Sequence, residues 1–379
     1  MLAFNQLSYW EKESYLKHVD FLIIGSGIVG LSTAIHLKKA KPNKNVLVLE
    51  RGYLPSGAST KNAGFACIGS ASEILDDINN NSEHEVFETI EKRWQGLVYL
   101  RELLGVVSIE YLELGSHELF KPNEKAIFNH SIEQIEWLNQ HLKRITGIEQ
   151  NFQVANSYCE KSGFYGFNKA ISNKAEGQLN TGKMMQRLVQ LAIGLGIQIL
   201  NGIEVKTIEN HEIISNYGKI SFDKLAICVN GFAKQFLPNE DVKPARAQVV
   251  ITSPIPDLKV RGIHHFDKGY YYFRNIGNRV LFGGGRNLDF EGEETDELNT
   301  SDKIINHLSY LLESQILPNS SFTIEQHWAG TMGVGKTKKP IIKQLEKNIY
   351  CGVRLGGMGV AIGSLVGKDL ADLIITHST

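Results

Sequence analysis

A chain of 379 residues with 42% hydrophobic content can bury one large core or two modest ones, so two interleaved domains are expected. The formal charge of -1 at pH 7 and a pI near 6.9, with no run of like charges, exclude the electrostatic footprint of a nucleic-acid binder. The four cysteines, Cys67, Cys159, Cys228 and Cys351, stand far apart with no C-x-x-C pair, which suits free thiols in a reducing, cytoplasmic compartment better than a disulfide framework or a metal site.

At the N-terminus, Glu11, Lys12 and Glu13 follow Trp10, so there is no basic region leading into an apolar stretch and no secretory signal. The extension from Met1 to Lys17 carries Tyr9, Trp10, Tyr15 and Leu16 and reads as a short helix packed on the body, with membrane contact the weaker reading. The longest apolar run, Phe21 to Leu37, is broken by three glycines and by Ser26, Ser32 and Thr33, so a strand plus a helix explains it better than a membrane span. Val19 to Ile24 is the first strand. Leu31, Ala34, Ile35 and Lys38 then fall at helical spacing, the helix ends in the positive charge of Lys38 to Lys41, and Val46 to Leu49 is the second strand.

Further on, Val86, Ile90, Trp94, Leu97, Leu100 and Leu104 mark one amphipathic helix, and Ile132, Ile135, Leu138, Leu142 and Ile145 mark another. A third helical stripe follows Gly182. Strand-like segments come next, at Ile197 to Leu200, Val205 to Ile208, Ile213 to Ser215 and Leu225 to Val229. Val249 to Thr252, Tyr270 to Arg274 and Val280 to Phe282 suggest an antiparallel sheet of a second domain, the last two joined by a hairpin at 275–278. The C-terminal part reads as a strand from Thr323 to Trp328, a glycine-rich loop, a strand from Asn348 to Val353, a glycine-rich turn and a helix from about Val360 to Ile375.

The chemistry begins at Gly25-Ser26-Gly27-Ile28-Val29-Gly30, a G-x-G-x-x-G between strand and helix. Missing side chains let backbone approach a pyrophosphate there, and the helix N-terminus favours its charge. Alone the pattern is weak, because such glycines also pack a helix against a sheet. Glu50 strengthens it: a carboxylate at the end of the second strand can accept the ribose hydroxyls and would repel a 2′-phosphate. Arg51 and the small, hydroxyl-bearing loop 57–66, with Ala58, Ser59, Thr60, Asn62, Ala63, Gly64 and Phe65, differ from a plain NAD dehydrogenase and can wrap phosphate and ribityl groups. No second glycine motif with its own acid and no C-x₄-C redox pair follows, which argues against a pyridine-nucleotide disulfide reductase.

The segments VDFLIIGSGIVGL, LVLERG, GASTKNAGFA, EGQLNTGKMM, AICVNGFA, YYYFRN with VLFGGG, HWAGTMG and CGVRLGGMGVAIGS occur in this order. In this the chain resembles the D-amino-acid oxidase superfamily, which includes glycine oxidase, sarcosine oxidase and D-amino-acid dehydrogenase, over nearly its whole length. The resemblance implies an α/β fold: a Rossmann-like, glutathione-reductase-type FAD-binding domain from 1–85, 160–240 and 323–379. An interleaved α+β substrate or cap domain on an antiparallel sheet would come from 86–159 and 241–322. It implies non-covalent FAD, with Val205 meeting the adenine through its backbone and Gly231 near the nucleotide. Gly356, Gly357, Met358, Gly359 and Val360 would surround the isoalloxazine, with Gly333 and Arg354 beside them. A helix N-terminus after Gly359 suits the negative charge that reduction leaves near flavin N1.

It also implies hydride transfer from the carbon bearing an amine, with oxygen or another acceptor closing the cycle, so the protein mainly orients the substrate and excludes water. Tyr270 and Tyr272 share a strand face and can reach the pocket, although packing alone also explains them. Relatives that oxidise small amino acids often place an arginine just after W-A-G, where this chain has Met332. Two basic positions of sarcosine oxidases appear here as Ala361 and Leu281. Arg246 and Lys336 are therefore the first candidates for a substrate carboxylate, ahead of Arg274 and Arg286. His327 and Cys67 are ambiguous between packing and function. The competing readings are a 2-hydroxy-acid dehydrogenase of the same superfamily, a flavin-containing electron-transfer or scaffold subunit, and, disfavoured by the absent basic patch, a tRNA-modifying domain.

Overall fold

The computed structural model describes residues 6–377, organised on two large sheets. The first runs Ile341–Glu346, Ile349–Val353, Lys219–Ile227, Val19–Ile24, Val46–Glu50 and Gln198–Asn201; it is parallel from Ile349–Val353 to Gln198–Asn201, with Ile341–Glu346 antiparallel at its edge. Val19–Ile24 and Val46–Glu50 are buried at every position. That is why both read as unbroken apolar runs rather than alternations: a parallel sheet is covered on both faces. The register sets Ile24 beside Leu49 and Ile227, so Gly25, Glu50 and Cys228 emerge together at the carboxyl edge, where α/β sheets bind ligands.

Helices Ile28–Ala40, Glu83–Leu104 and Gly359–Thr376 stack beside this sheet through small residues. A Cβ on Gly96 would lie 2.1 Å from the Ala361 carbonyl oxygen, and one on Gly367 would lie 2.5 Å from Ser32 Cβ. Even alanine at either position would force the helices apart. The helix Glu83–Leu104 thus packs on the nucleotide side, although most of it falls in the 86–159 segment read as cap.

The second sheet runs Ile324–Val334, Lys243–Thr252, Arg279–Gly284, Tyr271–Ile276, Ile263–Phe266, Ser116–Phe120, Lys169–Asn173 and Phe152–Val154. All its pairings are antiparallel except Ile263–Phe266 with Ser116–Phe120. Tyr271 and Phe273 point into a core with Phe266 and Phe282, covered by Ile304, Leu308 and Leu311 of helix Asp302–Leu311. Strands Lys169–Asn173 and Ile324–Val334 belong to this sheet, inside segments 160–240 and 323–379 that the sequence reading placed in the nucleotide domain. The expected glycine loop after Trp328 is strand through Val334, paired throughout with Lys243–Thr252. Its glycines mark close approaches: a Cβ on Gly330 would lie 3.0 Å from Lys61 Cβ, and one on Gly333 would lie 2.7 Å from Asn230 Oδ1.

In the N-terminal extension, Met1 to Asn5 lie outside the described residues. Beyond them Tyr9–Glu11 forms one helical turn held by a Ser8/Glu11 capping box, followed by a π-helical turn at Lys12–Leu16. Tyr9 and Trp10 are 67% and 75% exposed, and Leu16 is the residue that packs on the sheet. Leu16 and the bond from the Gln198 side-chain amide to the Ser14 carbonyl hold the extension, while the rings of Tyr9 and Trp10 stay exposed. Among the described residues no helix is long and apolar enough to cross a membrane.

Candidate active site

A cavity of about 580 Å³ starts at the carboxyl edge of the parallel sheet and reaches the face of the second sheet. At its first end the wall is backbone. Gly25 adopts φ +101°, and a Cβ there would meet the Cys228 carbonyl oxygen at 2.7 Å; one on Gly30 would lie 1.9 Å from the Gly25 carbonyl oxygen. Only glycine lets this turn fold back on its own helix. Gly27 is the N-cap without a side-chain bond of its own, and Ile28 N–H donates to Ser59 Oγ (3.0 Å), so loop 57–62 is tied directly to the helix start at the cavity wall. The next amides of this first turn, those of Val29 and Gly30, have no intrahelical partner and suit a phosphate.

Glu50 lines the same end, 7% exposed. Its carboxylate accepts from Ser26 N–H (3.2 Å), Ser26 Oγ (2.6 Å) and Gly52 N–H (2.9 Å). A carboxylate offers about four lone-pair sites, so this grip fixes Glu50 and leaves acceptor capacity for a ribose hydroxyl. Arg51 lies over the Phe232 ring at 3.9 Å, and Val205 lines the cavity beside them. Ala58, Ser59, Asn62, Ala63 and Phe65 line the next stretch. Asn62 accepts from Gly64 N–H (2.8 Å) and Thr181 Oγ (3.0 Å) and donates to Ser59 O (2.8 Å), holding the loop in shape. Thr60 bonds the Pro55 carbonyl and, like Ser26, Gly30 and Gly64, stands just behind the lining.

Gly356, Gly357, Met358, Gly359 and Val360 line the middle, where helix Gly359–Thr376 begins with no side-chain cap. Gly231, Gly333 and Arg354 lie behind them. A Cβ on Gly231 would meet the Met332 carbonyl oxygen at 2.6 Å, and Arg354 holds Asp241 Oδ2 (2.8 Å), Lys339 O (2.9 Å) and Thr337 Oγ1 (3.0 Å). These three shape the floor without lining it.

The far wall is the second sheet. Tyr270 and Tyr272 line it, with Tyr272 edge-on to Phe65 (5.4 Å between centroids) in a cluster with Ala63, Val249, Leu281 and Trp328. Burial pushes the Tyr272 hydroxyl up to about 12, so it stays a neutral donor. His265 stands opposite Tyr272 in the register and opposite Glu118 on its other side. Glu118 is raised by burial, while His265 and the Ser72 donors act to lower it. Glu73 and Glu176 also line the cavity; Glu176 Oε1 accepts from Ile68 N–H (2.7 Å) and Gly69 N–H (2.9 Å), and its Oε2 has no partner. Burial, then Glu176, pushes the adjacent Cys67 thiol well up.

The family model for FAD dependent oxidoreductases (DAO) matches residues 20–373. The chain belongs to this family. Its cofactor is accordingly FAD, and the glycine turn, the buried Glu50 and the two uncapped helix starts form a cradle that fits a dinucleotide.

Members similar to it include a probable oxidoreductase OrdL of Rhizobium meliloti, 21% identical over 96% of this chain and 84% of that protein. Another is the gamma-glutamylputrescine oxidoreductase of Escherichia coli, 22% identical over 94% of this chain and 83% of that protein. Among solved structures, L-proline dehydrogenase from P. horikoshii superposes with a TM-score of 0.74 at 19% identity, covering 96% of this chain and 95% of that one. Glycine oxidase from Bacillus cereus superposes with a TM-score of 0.73 at 20% identity, covering 95% of each chain. At such identities these structures establish the shared fold of this oxidoreductase family.

Arg246 and Lys336, expected from the sequence to meet a substrate carboxylate, lie off the cavity lining. Arg246 is 7% exposed and bound to Glu293, with a closest N–O distance of 2.6 Å, while Lys336 is exposed and reaches Asp241 through its backbone N–H. Arg274 donates to Leu179 O (2.9 Å) and Gly64 O (3.3 Å), clipping loop 57–66 to the second sheet. His327 bonds Thr300 Oγ1 (3.0 Å) and also lies off the lining. Arg286 is on it. His265, Glu176 and Lys61 also line the cavity, and no sequence spacing marks them because their neighbours there come from distant segments. His18, Asp20 and Asp223 cluster near the start of the first strand, where Lys44 pairs with Asp20 at 2.7 Å.

Proposed function

We propose that this oxidoreductase takes a hydride from the carbon of a C–N bond in a small amine or amino acid, releasing an imine that water hydrolyses. The observation that carries the reading is the continuity of the cavity: the FAD cradle opens directly onto a wall of Tyr272, Tyr270 and His265, with Glu73 and Glu176 as acceptors for an amine. FAD, when bound, supplies the hydride acceptor, and oxygen or another acceptor later removes the electrons. The names of relatives such as gamma-glutamylputrescine oxidoreductase and glycine oxidase support the same chemistry.

The roles follow from position. Gly25, Gly27 and Gly30 with the first-turn amides that follow Ile28 would hold the pyrophosphate, Glu50 the ribose and Val205 the adenine. Gly356 N–H donates to Gly333 O (2.9 Å) and Met358 N–H to Leu355 O (3.2 Å), so Gly357 N–H and the uncapped start of helix Gly359–Thr376 are the groups that would favour negative charge on a flavin bound there. Tyr272 donates its neutral hydroxyl to the substrate, while the cluster of Phe65, Val249, Leu281 and Trp328 keeps water away from the reacting carbon.

The test is the visible spectrum of the purified protein, followed by anaerobic addition of pooled amines, D- and L-amino acids and 2-hydroxy acids. Bleaching of the flavin band by an amine or amino-acid pool is the expected result, and re-admitted oxygen then separates oxidase from dehydrogenase. Bleaching by hydroxy acids alone, or by no pool, would overturn the reading.

A further inference from the structure

Unclaimed hydrogen-bond acceptors gather at one end of the cavity, where segment 67–73 meets the turn 267–270. Gly269 has φ +80°, and a Cβ on it would lie 3.2 Å from Glu73 Oε1, so the turn closes directly on that carboxylate. Cys67, Ser70, Glu73, Glu176 and His265 line this end. Glu176 is 1% exposed; the Ile68 and Gly69 amides occupy its Oε1 (2.7 and 2.9 Å), while its Oε2 has no partner. Glu73 is partly buried and accepts from Ser70 N–H at a long 3.4 Å. His265 is 7% exposed, and its Nδ1 is without a partner as well.

The neighbouring cations are committed elsewhere. Lys268 and Lys338, which also line the cavity, pair with Asp76 (2.8 Å) and Asp77 (2.7 Å), so among the described residues neither Glu73 nor Glu176 has an ion-pair partner. Arg286 lies over the Phe290 ring at 5.2 Å. Arg93 is buried behind Gly69, where its Nη1 donates to the Ile68 carbonyl (2.8 Å) and its charge offsets one of the two carboxylates. A third carboxylate, Glu118, stands in the same region on Ser70 Oγ (3.1 Å) and Ser72 N–H (3.2 Å). Acidic groups thus outnumber the free cations, and acceptors without donors in an enclosed site fit a ligand cation that carries several N–H groups.

The nitrogen that suits this end is not the one that reacts. A hydride leaves carbon only when the adjoining nitrogen lends its lone pair, so the reacting amine has to be unprotonated, and a carboxylate beside it would hold the proton in place. A nitrogen that stays charged throughout gains from the same carboxylates.

Building on the proposed function, we propose that Glu73, Glu176 and His265 bind a second basic nitrogen of the substrate, one that remains protonated, so that the substrate is a dibasic amine. The probe is benzamidine, cationic at pH 7 and without a carbon–hydrogen bond next to nitrogen to oxidise, with benzamide as its neutral match. Both are titrated into the FAD-loaded enzyme and followed by the flavin difference spectrum and by calorimetry. Benzamidine is expected to bind more tightly than benzamide. Glu176→Gln and Glu73→Gln should each weaken benzamidine by about tenfold, as expected for loss of a charge-assisted bond, and leave benzamide unchanged.

Flavin content and thermal midpoint confirm that the variants are folded; should one fail to fold, the other carries the comparison. No preference for benzamidine in the parent, a preference that survives both substitutions, or equal losses for the two probes would overturn the assignment. A parent that binds benzamidine through these residues but is bleached by no amine would count against the proposed reaction and leave the cation site standing. A parent without flavin would count against the reaction in the same way, and calorimetry of benzamidine on that protein would still measure the site.

Discussion

At the nucleotide end of the cavity the wall is mostly main chain, made of glycines, helix starts and one gripped carboxylate, whereas at the substrate end it is mostly side chain. The difference teaches where each kind of change is tolerated. A main-chain wall fails when any atom is added, because its neighbours are backbone that cannot move aside. A side-chain wall can change its groups and keep its fold, provided no buried charge is left alone.

The largest effect that would sharpen this contrast is at Gly30. Gly30→Val would put a Cβ 1.9 Å from the Gly25 carbonyl oxygen, at a cost of at least ~3 kcal/mol. The variant should purify without the flavin band and with a much lower thermal midpoint; normal flavin content would break the account of the glycine turn.

Next comes Arg246, a charged residue behind the side-chain wall. Arg246→Ala strands Glu293 in a site where it is 1% exposed, and should cost about 3–5 kcal/mol in chemical denaturation. Arg246→Met combined with Glu293→Leu should regain most of that. A loss confined to KM, with stability intact, would return Arg246 to the substrate.

A smaller effect is expected at Glu50. Glu50→Gln keeps the size but removes the charge that Ser26 grips and that the proposed ribose contact uses, so FAD affinity should fall by ~1.5–3 kcal/mol, roughly ten- to a hundredfold. Equilibrium dialysis of the apoprotein against FAD reads this directly. On the other wall, Tyr272→Phe should leave stability within about 1 kcal/mol and lower turnover by about tenfold, because it removes a donor and no packing. Unchanged turnover would reduce Tyr272 to a packing residue.

The smallest effect lies behind the substrate wall, where His117 stacks on Tyr158 at 3.5 Å and Tyr158 meets His264 at 2.6 Å. Burial, with a smaller contribution from His265, lowers His117 from 6.5 to about 4. The native state therefore holds it neutral while the unfolded chain takes up a proton. Its stability contribution is complete above pH 6.5 and is lost as pH falls toward 4. The thermal midpoint should drop across that window by a few degrees more than in His117→Phe; parallel curves would exclude His117 as the cause.

Legibility in the sequence follows the same division. Strands Val19–Ile24 and Val46–Glu50, helix Ile28–Ala40 and the pairing of glycines with Glu50 could be read because each signal is local and their spacing is set by one strand-turn-helix-strand unit. The strands Ser116–Phe120, Phe152–Val154 and Ile263–Phe266 could not. They are short and carry polar residues such as His117, Glu118 and His265, whose burial depends on strands far away in the chain.

The sequence by itself determined the nucleotide turn, the acid that closes it and the family, because a dinucleotide is held by backbone whose course glycine spacing dictates. Only the tertiary structure told Arg246 from Arg286, by burying one in an ion pair and placing the other on the cavity lining. Two arginines look alike in one dimension, and it is the acid that folds against the first, and the cavity that opens beside the second, that separate a structural ion pair from an unclaimed cation.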